Sequence, residues 1–358
     1  MLRRLSHIDW PLLLGIIILS SAGLLSLAST NDTLFSRQLM WLVLSILVIF
    51  GATFIDWKWL GKQTWFLHLI YWGTTGLLLL SYFLPGSIRG TKSWIVIGGI
   101  QFEPAEFAKL ALILVLAGFF SRRYVAAWHA KNIFLSFIYM AIPASLIFLH
   151  PDFGSAMVVG AIWVGLLLLS GINPKRFLFG LVLVAIIASL GWTFVLKPYQ
   201  KDRLTAFLFP ERDPFGISYN VIQSKIAIGS AGFFGKGFGS GTQTQLNFLP
   251  EAQTDFIFAA FVEEWGIFGG LVLLLTFLLV LYRVMLIGLR SEDNYSKFVV
   301  LGALIVLLVH FFVNVGSNVG IMPVTGIPLS FVSYGGSHML TMAVLTGIIQ
   351  RIKLESSL

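Results

Sequence analysis

The stretch FIFAAFVEEWGIFGGLVLLLTFLLVLY, residues 256–282, decides the fold class because it is apolar over the full thickness of a bilayer. A helix needs roughly 17–25 such residues to cross the hydrocarbon core. Only Glu263 and Glu264 bring charge into this stretch. The rest of the chain has the same character, since 57% of its 358 residues are hydrophobic, 11% are charged, and the mean hydropathy is +0.88. This composition excludes a soluble domain and predicts an all-α integral membrane protein.

Apolar runs of similar length recur along the chain and predict about ten transmembrane helices, because a chain in lipid must satisfy its own backbone hydrogen bonds. The predicted spans are residues 11–28, 39–55, 65–84, 102–120, 133–149, 154–170, 177–196, 256–282, 298–316 and 338–350. One large loop, at about residues 197–255, separates the seventh span from the eighth. The chain shows no convincing repeat, so we interpret residues 1–358 as a single polytopic membrane domain.

The distribution of charge predicts the orientation in the membrane. Fourteen lysines and arginines fall at the termini and in the even-numbered gaps between spans, against three (Arg37, Arg89 and Lys92) in the short opposite loops. The positive-inside rule therefore places both termini in the cytoplasm and the large loop outside. This bias explains the formal charge of +8 without nucleic acid. The absence of Cys excludes disulfides, thiolate metal sites and thiol nucleophiles, and is consistent with loops in an oxidising compartment.

The large loop is too long for a simple connection, and its aromatic content predicts that it folds over the outer mouth of the bundle. Within it, SYNVIQSKIAIG (218–229) predicts a short amphipathic helix at the membrane surface. GSAGFFGKGFGSG (229–241) departs from a phosphate-binding loop, because Gly237 follows Lys236 and Ser230 occupies a position that needs glycine. We interpret it as a turn-rich segment that permits close backbone approach, although a pyrophosphate resting on its amides stays open.

Polar residues from four predicted outer loops converge on one side of the membrane. Glu106 and Lys109 stand three residues apart and can pair on one helix face. An ionisable group within a span costs about 2.5–3.5 kcal/mol on insertion scales, so the pair needs mutual neutralisation, a water-filled cavity, or both. A structural ion pair and a role in a site both remain open. The candidate site residues on this side are Trp94, Glu106, Lys109, Asp152, Arg203, Arg212, Lys225 and Asp255.

The carboxylates of residues 248–266 allow different interpretations. Asp255 precedes the eighth span, where it is either a helix-terminal acid favoured by the dipole, with Thr254 as a cap, or a functional group. Glu263 and Glu264 lie about two turns deeper, at predicted lipid depth. A proton relay of the kind found in transporters would explain acids at that depth.

Six segments of the chain, in this order, resemble the signature segments of the SEDS family (shape, elongation, division and sporulation), and most closely its rod-shape branch. The segments are GTKSWI, EPAEFAK, PDFGSA, RLTAFLFPERDPFGISYNVIQSKIAIGSAGFFGKGFGSG, NFLPEAQTDFIFAAFVEEWGIFGG and MPVTGIPLSFVSYGGS. The departures from the family pattern are His150, where Gln is commoner, Gln253, where His is frequent, and Ser330, where Pro is usual. None of them removes a charged candidate.

The resemblance implies a peptidoglycan glycosyltransferase that polymerises lipid II at the outer face of the bacterial cytoplasmic membrane, for cell elongation, with a class B penicillin-binding protein as partner. It implies that Asp255 is the catalytic residue and that Trp94, Glu106, Lys109 and Asp152 line or support the cavity. Candidate cations for the pyrophosphate leaving group are Arg203, Arg212 and Lys225, and a divalent cation held by Asp255 or Asp152 stays open.

Two alternatives remain at this stage. A lipid II flippase would use the same charged cavity but would need polar groups at mid-membrane, for which Glu263, Glu264 and Asn314 are the candidates. A non-catalytic scaffold for the penicillin-binding protein would need no acid at all and would tolerate Asp255→Ala.

Overall fold

The computed structural model describes residues 8–84, 93–97, 100–123, 129–171, 207, 209, 216 and 218–356. These residues form a helical bundle with one antiparallel two-stranded sheet. In chain order the described elements are α1 (Trp10–Thr30), α2 (Asp32–Thr53), α3 (Trp57–Lys62), α4 (Thr64–Phe83), β1 (Ile95–Ile97), β2 (Ile100–Phe102), α5 (Pro104–Arg122), α6 (Ala130–Leu149), α7 (Phe153–Leu169), α8 (Tyr219–Ser230), α9 (Thr242–Gln245), α10 (Ile257–Arg290), α11 (Asn294–Val319) and α12 (Gly336–Glu355).

The described helices confirm the predicted class of an all-α membrane protein. Nine of the ten predicted spans coincide with α1, α2, α4, α5, α6, α7, α10, α11 and α12, and the predicted span at 177–196 lies outside the described residues. Seven described helices are long and apolar enough to cross a bilayer, while α7, with 17 residues, is a shorter apolar helix. Large apolar side chains such as Leu47, Phe83 and Leu275 are exposed on the outside of the bundle, as contact with lipid requires.

Helix α5 lies at the centre of the bundle. It is apolar on all sides, and almost every residue from Ala105 to Phe120 is buried against α4, α6, α7, α11 and α12. Pro104 occupies the first turn, where its missing N–H costs no helical hydrogen bond. At the other end, the Arg122 guanidinium donates to the Gly61 carbonyl over 2.9 Å. This central position holds Glu106 and Lys109, near the start of α5, inside the protein.

Helix α10 is broken at Gly266, which has a φ of 74°. The break leaves the carbonyls of the preceding turn without helical partners. Two loop amides take the place of those partners. Lys236 donates its amide to the Glu263 carbonyl, and Gly237 donates its amide to the Glu264 carbonyl, each over 3.0 Å. The glycine-rich segment therefore completes the backbone hydrogen bonding of a helix end.

The glycine-rich segment approaches α10 as closely as the sequence predicts. A Cβ placed on Gly235 would lie 2.1 Å from the carbonyl oxygen of Glu264, so no side chain fits there. On the far side of the break, Ile267 and Phe268 donate their amides to the carbonyls of Gly232 and Phe233. The prediction of close backbone approach is confirmed.

The Glu263 and Glu264 side chains bind this same segment, so both acids have partners inside the protein. Both are buried. Glu263 accepts hydrogen bonds from Lys236 Nζ over 2.8 Å and from the Thr244 amide over 3.1 Å. Glu264 accepts from the Gly239 amide over 3.2 Å. These contacts account for both acids as structural anchors for residues 236–245, so a proton relay is not needed to explain them.

The predicted amphipathic helix is present as α8. Its buried residue Ala227 packs against Phe256 and Ala260, at the beginning of α10. Ser224 Oγ donates to the Asn318 carbonyl over 2.8 Å, which joins α8 to the end of α11. This part of the large loop is therefore folded against the bundle.

Candidate functional site

A cavity of about 650 Å³ opens at one end of the bundle. It lies where α2, α5, α7, α10 and α12 begin, so several helix N-termini surround it and favour negative charge. Its charged and aromatic lining residues are Arg37, Trp41, Trp94, Glu103, Glu106, Asp152, Phe153, Asp255, Tyr334 and His338. The structure thus brings together four of the predicted site residues, Trp94, Glu106, Asp152 and Asp255.

Asp255 is positioned through its backbone. Its carbonyl accepts hydrogen bonds from Asn314 Nδ2 over 3.0 Å and from Asn318 Nδ2 over 2.8 Å, both on α11. The preceding carbonyl, of Thr254, accepts from Ser333 Oγ over 2.7 Å. Helix α11 and the segment before α12 therefore fix the main chain, while the carboxylate lines the cavity.

Asp255 does not cap α10, which corrects the helix-terminal interpretation. The helix begins at Ile257 with Phe256 in the N-cap position, and no described side chain caps it. Thr254 Oγ1 donates to Glu251 Oε2 over 2.9 Å instead of to the helix. The capping alternative therefore gives no account of the acid at this position.

Glu106 and Lys109 form the ion pair that their spacing predicts. Lys109 Nζ lies 2.6 Å from Glu106 Oε1, and each residue is 2% exposed. The second carboxylate oxygen, Oε2, lies 3.1 Å from His338 Nδ1, on α12. Glu106 lines the cavity and Lys109 supports it from behind. The structural and functional roles are therefore compatible in this geometry.

Glu103 is a second acid at the start of α5 and lines the same cavity. Its amide donates to Ser337 Oγ over 3.0 Å, which ties α5 to the first turn of α12. Burial, together with the neighbouring carboxylates of Glu106 and Asp152, raises the pKa of Glu103 well above its usual range. The cavity therefore contains a carboxyl group that holds its proton more tightly than a solvated glutamate.

Asp152 and Trp94 reach the cavity from two other elements. Asp152 is the N-cap of α7, where its Oδ1 accepts from the Ser155 amide over 3.0 Å, and it also lines the cavity. Trp94 comes directly before β1, which pairs with β2 in the register Ile95↔Phe102. Among the described residues, no three His, Cys, Asp or Glu side chains form a group that could hold a metal ion.

The three predicted cations do not lie in the described cavity wall. Arg203 and Arg212 lie outside the described residues. Lys225 is on α8, and a Cβ placed on Gly320 would lie 2.4 Å from its Nζ. Its ammonium therefore sits at the C-terminal end of α11, where the helix dipole favours a cation.

Sequence reasoning missed several cavity residues. Arg37 could have been identified from the sequence, because it is one of only three basic residues in the short loops predicted on the outer side. The hairpin that carries Gln101 could also have been identified, since Gly98-Gly99 between β-branched residues is typical of a tight turn. Nothing in the sequence indicated His338 as a site residue, because its partner Glu106 is 232 residues away in the chain.

Comparison with known proteins gives one consistent family. The FtsW/RodA/SpoVE cell cycle protein model matches residues 4–358. The peptidoglycan glycosyltransferase MrdB of Escherichia coli K12 is 39% identical over 277 residues, which cover 77% of this chain and 75% of that protein.

Solved structures agree with this assignment. A chain of a peptidoglycan synthase complex described as coordinating polymerization and crosslinking matches with a TM-score of 0.84 and 30% identity, covering 98% of both chains. The rod shape determining protein RodA of Thermus thermophilus matches with a TM-score of 0.72 and 26% identity, covering 97% of this chain and 96% of that one. The chain therefore belongs to the SEDS family of membrane proteins, in which it is RodA-like.

Proposed function

We propose that this chain is a peptidoglycan glycosyltransferase that polymerises lipid II with inversion at the outer face of the bacterial cytoplasmic membrane, with Asp255 as the catalytic base. The observation that carries the proposal is the position of the Asp255 carboxylate, in the wall of a cavity surrounded by helix N-termini. Related proteins named as peptidoglycan glycosyltransferases support the reaction class.

The reaction needs a base at one sugar and charge stabilisation at the other. A carboxylate removes the proton from the 4-hydroxyl of one lipid-linked disaccharide as the oxygen attacks the anomeric carbon of another. The bond to the polyprenyl pyrophosphate breaks, and the configuration inverts. Asp255 suits the first role because its backbone is held by two asparagine amides while its side chain reaches the cavity.

The departing pyrophosphate carries negative charge that the site must stabilise. The N-termini of the surrounding helices supply partial positive charge, and Arg37 in the cavity wall supplies a full one. Arg203 and Arg212 remain candidates for the same role, and Lys225 is a weaker one because of its place against Gly320. Exposed apolar side chains on the outside of the bundle suit contact with the polyprenyl tails of the two substrates.

We infer that the partner is a class B penicillin-binding protein, which would crosslink the strands that this chain polymerises. The match to a chain of a peptidoglycan synthase complex supports a partner of this kind. The bias of basic residues supports cytoplasmic termini and an active site outside.

The residues that favoured a lipid II flippase have structural hydrogen-bond partners instead. Glu263 and Glu264 are engaged by the glycine-rich segment. The Asn314 amide is engaged by the carbonyls of Asp255 and Ile327. A scaffold role gives no reason for the acid-lined cavity.

One experiment separates the three functions. The purified protein, with and without a class B penicillin-binding protein, is incubated with lipid II in detergent or liposomes, and glycan polymer is separated by gel electrophoresis. We expect polymer that depends on Asp255. Transfer of lipid II across liposomes without polymer would favour a flippase, and neither activity would favour a scaffold.

A further inference from the structure

Behind the cavity wall lies a buried cluster of polar side chains that the proposed chemistry does not use. We call it the histidine cluster, and it consists of Glu106, Lys109, His310, Ser330 and His338. All five are at most 4% exposed. They come from α5, α11, the segment before α12, and α12 itself. The cluster therefore connects three helices at the point where Glu106 and His338 enter the cavity wall.

The two oxygens of Glu106 are shared between two partners. Oε1 accepts from Lys109 over 2.6 Å, and Oε2 lies 3.1 Å from His338 Nδ1. A carboxylate only accepts hydrogen bonds, so Nδ1 of His338 carries a proton and donates it. His338 thus orients the carboxylate of Glu106.

The surroundings of His338 hold its ring in place. Its Nε2 atom is buried and has no hydrogen-bond partner among the described residues, and the same holds for His310 Nε2. The two rings lie with their centroids 5.0 Å apart. Nδ1 is therefore the ring nitrogen through which the described residues hold His338 by a hydrogen bond.

Ser330 and His310 complete the support. His310 Nδ1 lies 2.8 Å from Ser330 Oγ. The hydroxyl fixes the His310 ring, which packs against His338. Ser330 is therefore part of the structure that holds His338 in place.

We propose that His338 is a positioning residue for glycosyl transfer: its Nδ1–H holds Glu106, paired with Lys109, in the orientation that shapes the cavity around Asp255. The proposal rests on the proposed glycosyltransferase function.

The test compares substitutions that keep or remove the Nδ1 donor. His338→Asn places an amide N–H close to the position of Nδ1, whereas His338→Gln reaches the position of Nε2, and His338→Leu donates nothing. Lipid II polymerisation by each purified variant is measured under the same conditions. His68→Leu, in α4 away from the cavity lining, is the matched control for loss of an imidazole.

We expect Leu and Gln at position 338 to lower the polymerisation rate about ten- to hundredfold, the kinetic equivalent of losing one hydrogen bond to a charged group. Asn should restore much of that loss. His68→Leu should polymerise lipid II at the wild-type rate. Thermal unfolding in detergent shows whether each variant is folded.

Two results would overturn the proposal. The first is a folded His338→Leu protein with wild-type activity. The second is a folded Asn variant as impaired as Leu, because an N–H donor near the position of Nδ1 would not rescue a merely structural role of the ring. Absence of polymer from the wild-type protein itself would instead contradict the proposed function, so the two failures are distinguishable.

Discussion

The backbone carbonyl of Asp255 accepts hydrogen bonds from the amides of Asn314 and Asn318, so the residue is held in place independently of its carboxylate. The side chain is not needed as a cap, since α10 begins at Ile257 with Phe256 as its N-cap. The backbone therefore positions the residue, while the carboxylate carries the proposed chemistry. A change confined to the side chain keeps these backbone hydrogen bonds.

Asp255→Asn is the sharpest test at this scale. The amide keeps the size of the side chain but cannot accept a proton at the 4-hydroxyl of the substrate. We expect lipid II polymerisation to fall by about 10²–10⁴-fold, as is typical when a general base is lost. The rate is measured on purified protein with its partner.

Asp255→Glu is the matched variant, because it keeps the charge and moves the oxygen. It should retain more activity than Asn, although misplacement of the oxygen still reduces the rate. A higher pH should not rescue Asn, because an amide cannot become the missing base. A capping role would make Asn nearly silent, because Asn and Asp cap helices about equally well. A folded Asn variant with near wild-type activity would contradict the catalytic role.

Glu103 makes stability depend on pH. Burial and the carboxylates of Glu106 and Asp152 raise its pKa above that of an unfolded glutamate, which is about 4.3. At pH values between the unfolded and the folded pKa of Glu103, the folded state binds more protons than the unfolded state. The free energy of unfolding therefore falls as the pH rises through that window. Glu103→Gln removes this titration. The variant should gain stability relative to the wild type as the pH rises from about 4 to 8.

The unfolding midpoint in detergent, followed across this pH range, measures the difference. Glu292→Gln is the control, because it removes an exposed carboxylate at the opposite end of the bundle. Parallel curves of unfolding midpoint against pH for the wild type and Glu103→Gln would show that Glu103 does not cause the pH dependence of stability.

At the scale of elements, α10 explains why the glycine-rich segment folds as it does. A helix that stops at Gly266 leaves carbonyls without partners, and a buried carbonyl without a partner is costly. Residues 232–237 provide the amides and carbonyls that complete both sides of the break. The same segment is held by the side chains of Glu263 and Glu264, so backbone and side chains of one helix turn anchor one loop.

Gly266→Ala tests the contact between the break in α10 and the glycine-rich segment. The backbone has a φ of 74°, and an added Cβ would lie 2.3 Å from the Gly235 amide nitrogen. We expect a loss of at least roughly 1–3 kcal/mol in the free energy of unfolding from backbone strain, with the steric clash in addition. Chemical denaturation in detergent micelles measures it.

Gly73→Ala is the matched control. Gly73 lies in α4 with no described atom within 4 Å of its would-be Cβ, so alanine should leave stability unchanged or raise it by roughly 0.5–1 kcal/mol. Equal effects of alanine on stability at positions 266 and 73 would show that a side chain at position 266 does not strain the contact with the glycine-rich segment.

At the scale of the whole molecule, the sequence predicts what depends on local chemistry. Long apolar runs predict helical spans because lipid offers no backbone partners, and the Glu106–Lys109 pair follows from a spacing of three residues. The roles of Glu263 and Glu264 were not predictable in this way, because their donors lie about twenty residues earlier in a loop of irregular shape. His338 and Arg37 reach the cavity through the packing of α12 and α2, which one sequence does not specify.

Orientation in the membrane decides whether the cavity faces lipid II on the outside. Fourteen basic residues at the termini and in the gaps on one side, against three in the short loops of the other, predict that the cavity end is extracytoplasmic. Ser240 and Asn294 are both exposed, the first in the glycine-rich segment and the second after the far end of α10. Because the chain has no Cys, one cysteine at either position is a unique label. We expect Ser240→Cys to react with a membrane-impermeant maleimide added outside intact cells, and Asn294→Cys to react only after the membrane is permeabilised. Labelling in the reverse sense would put Asp255 in the cytoplasm and would contradict polymerisation at the outer face.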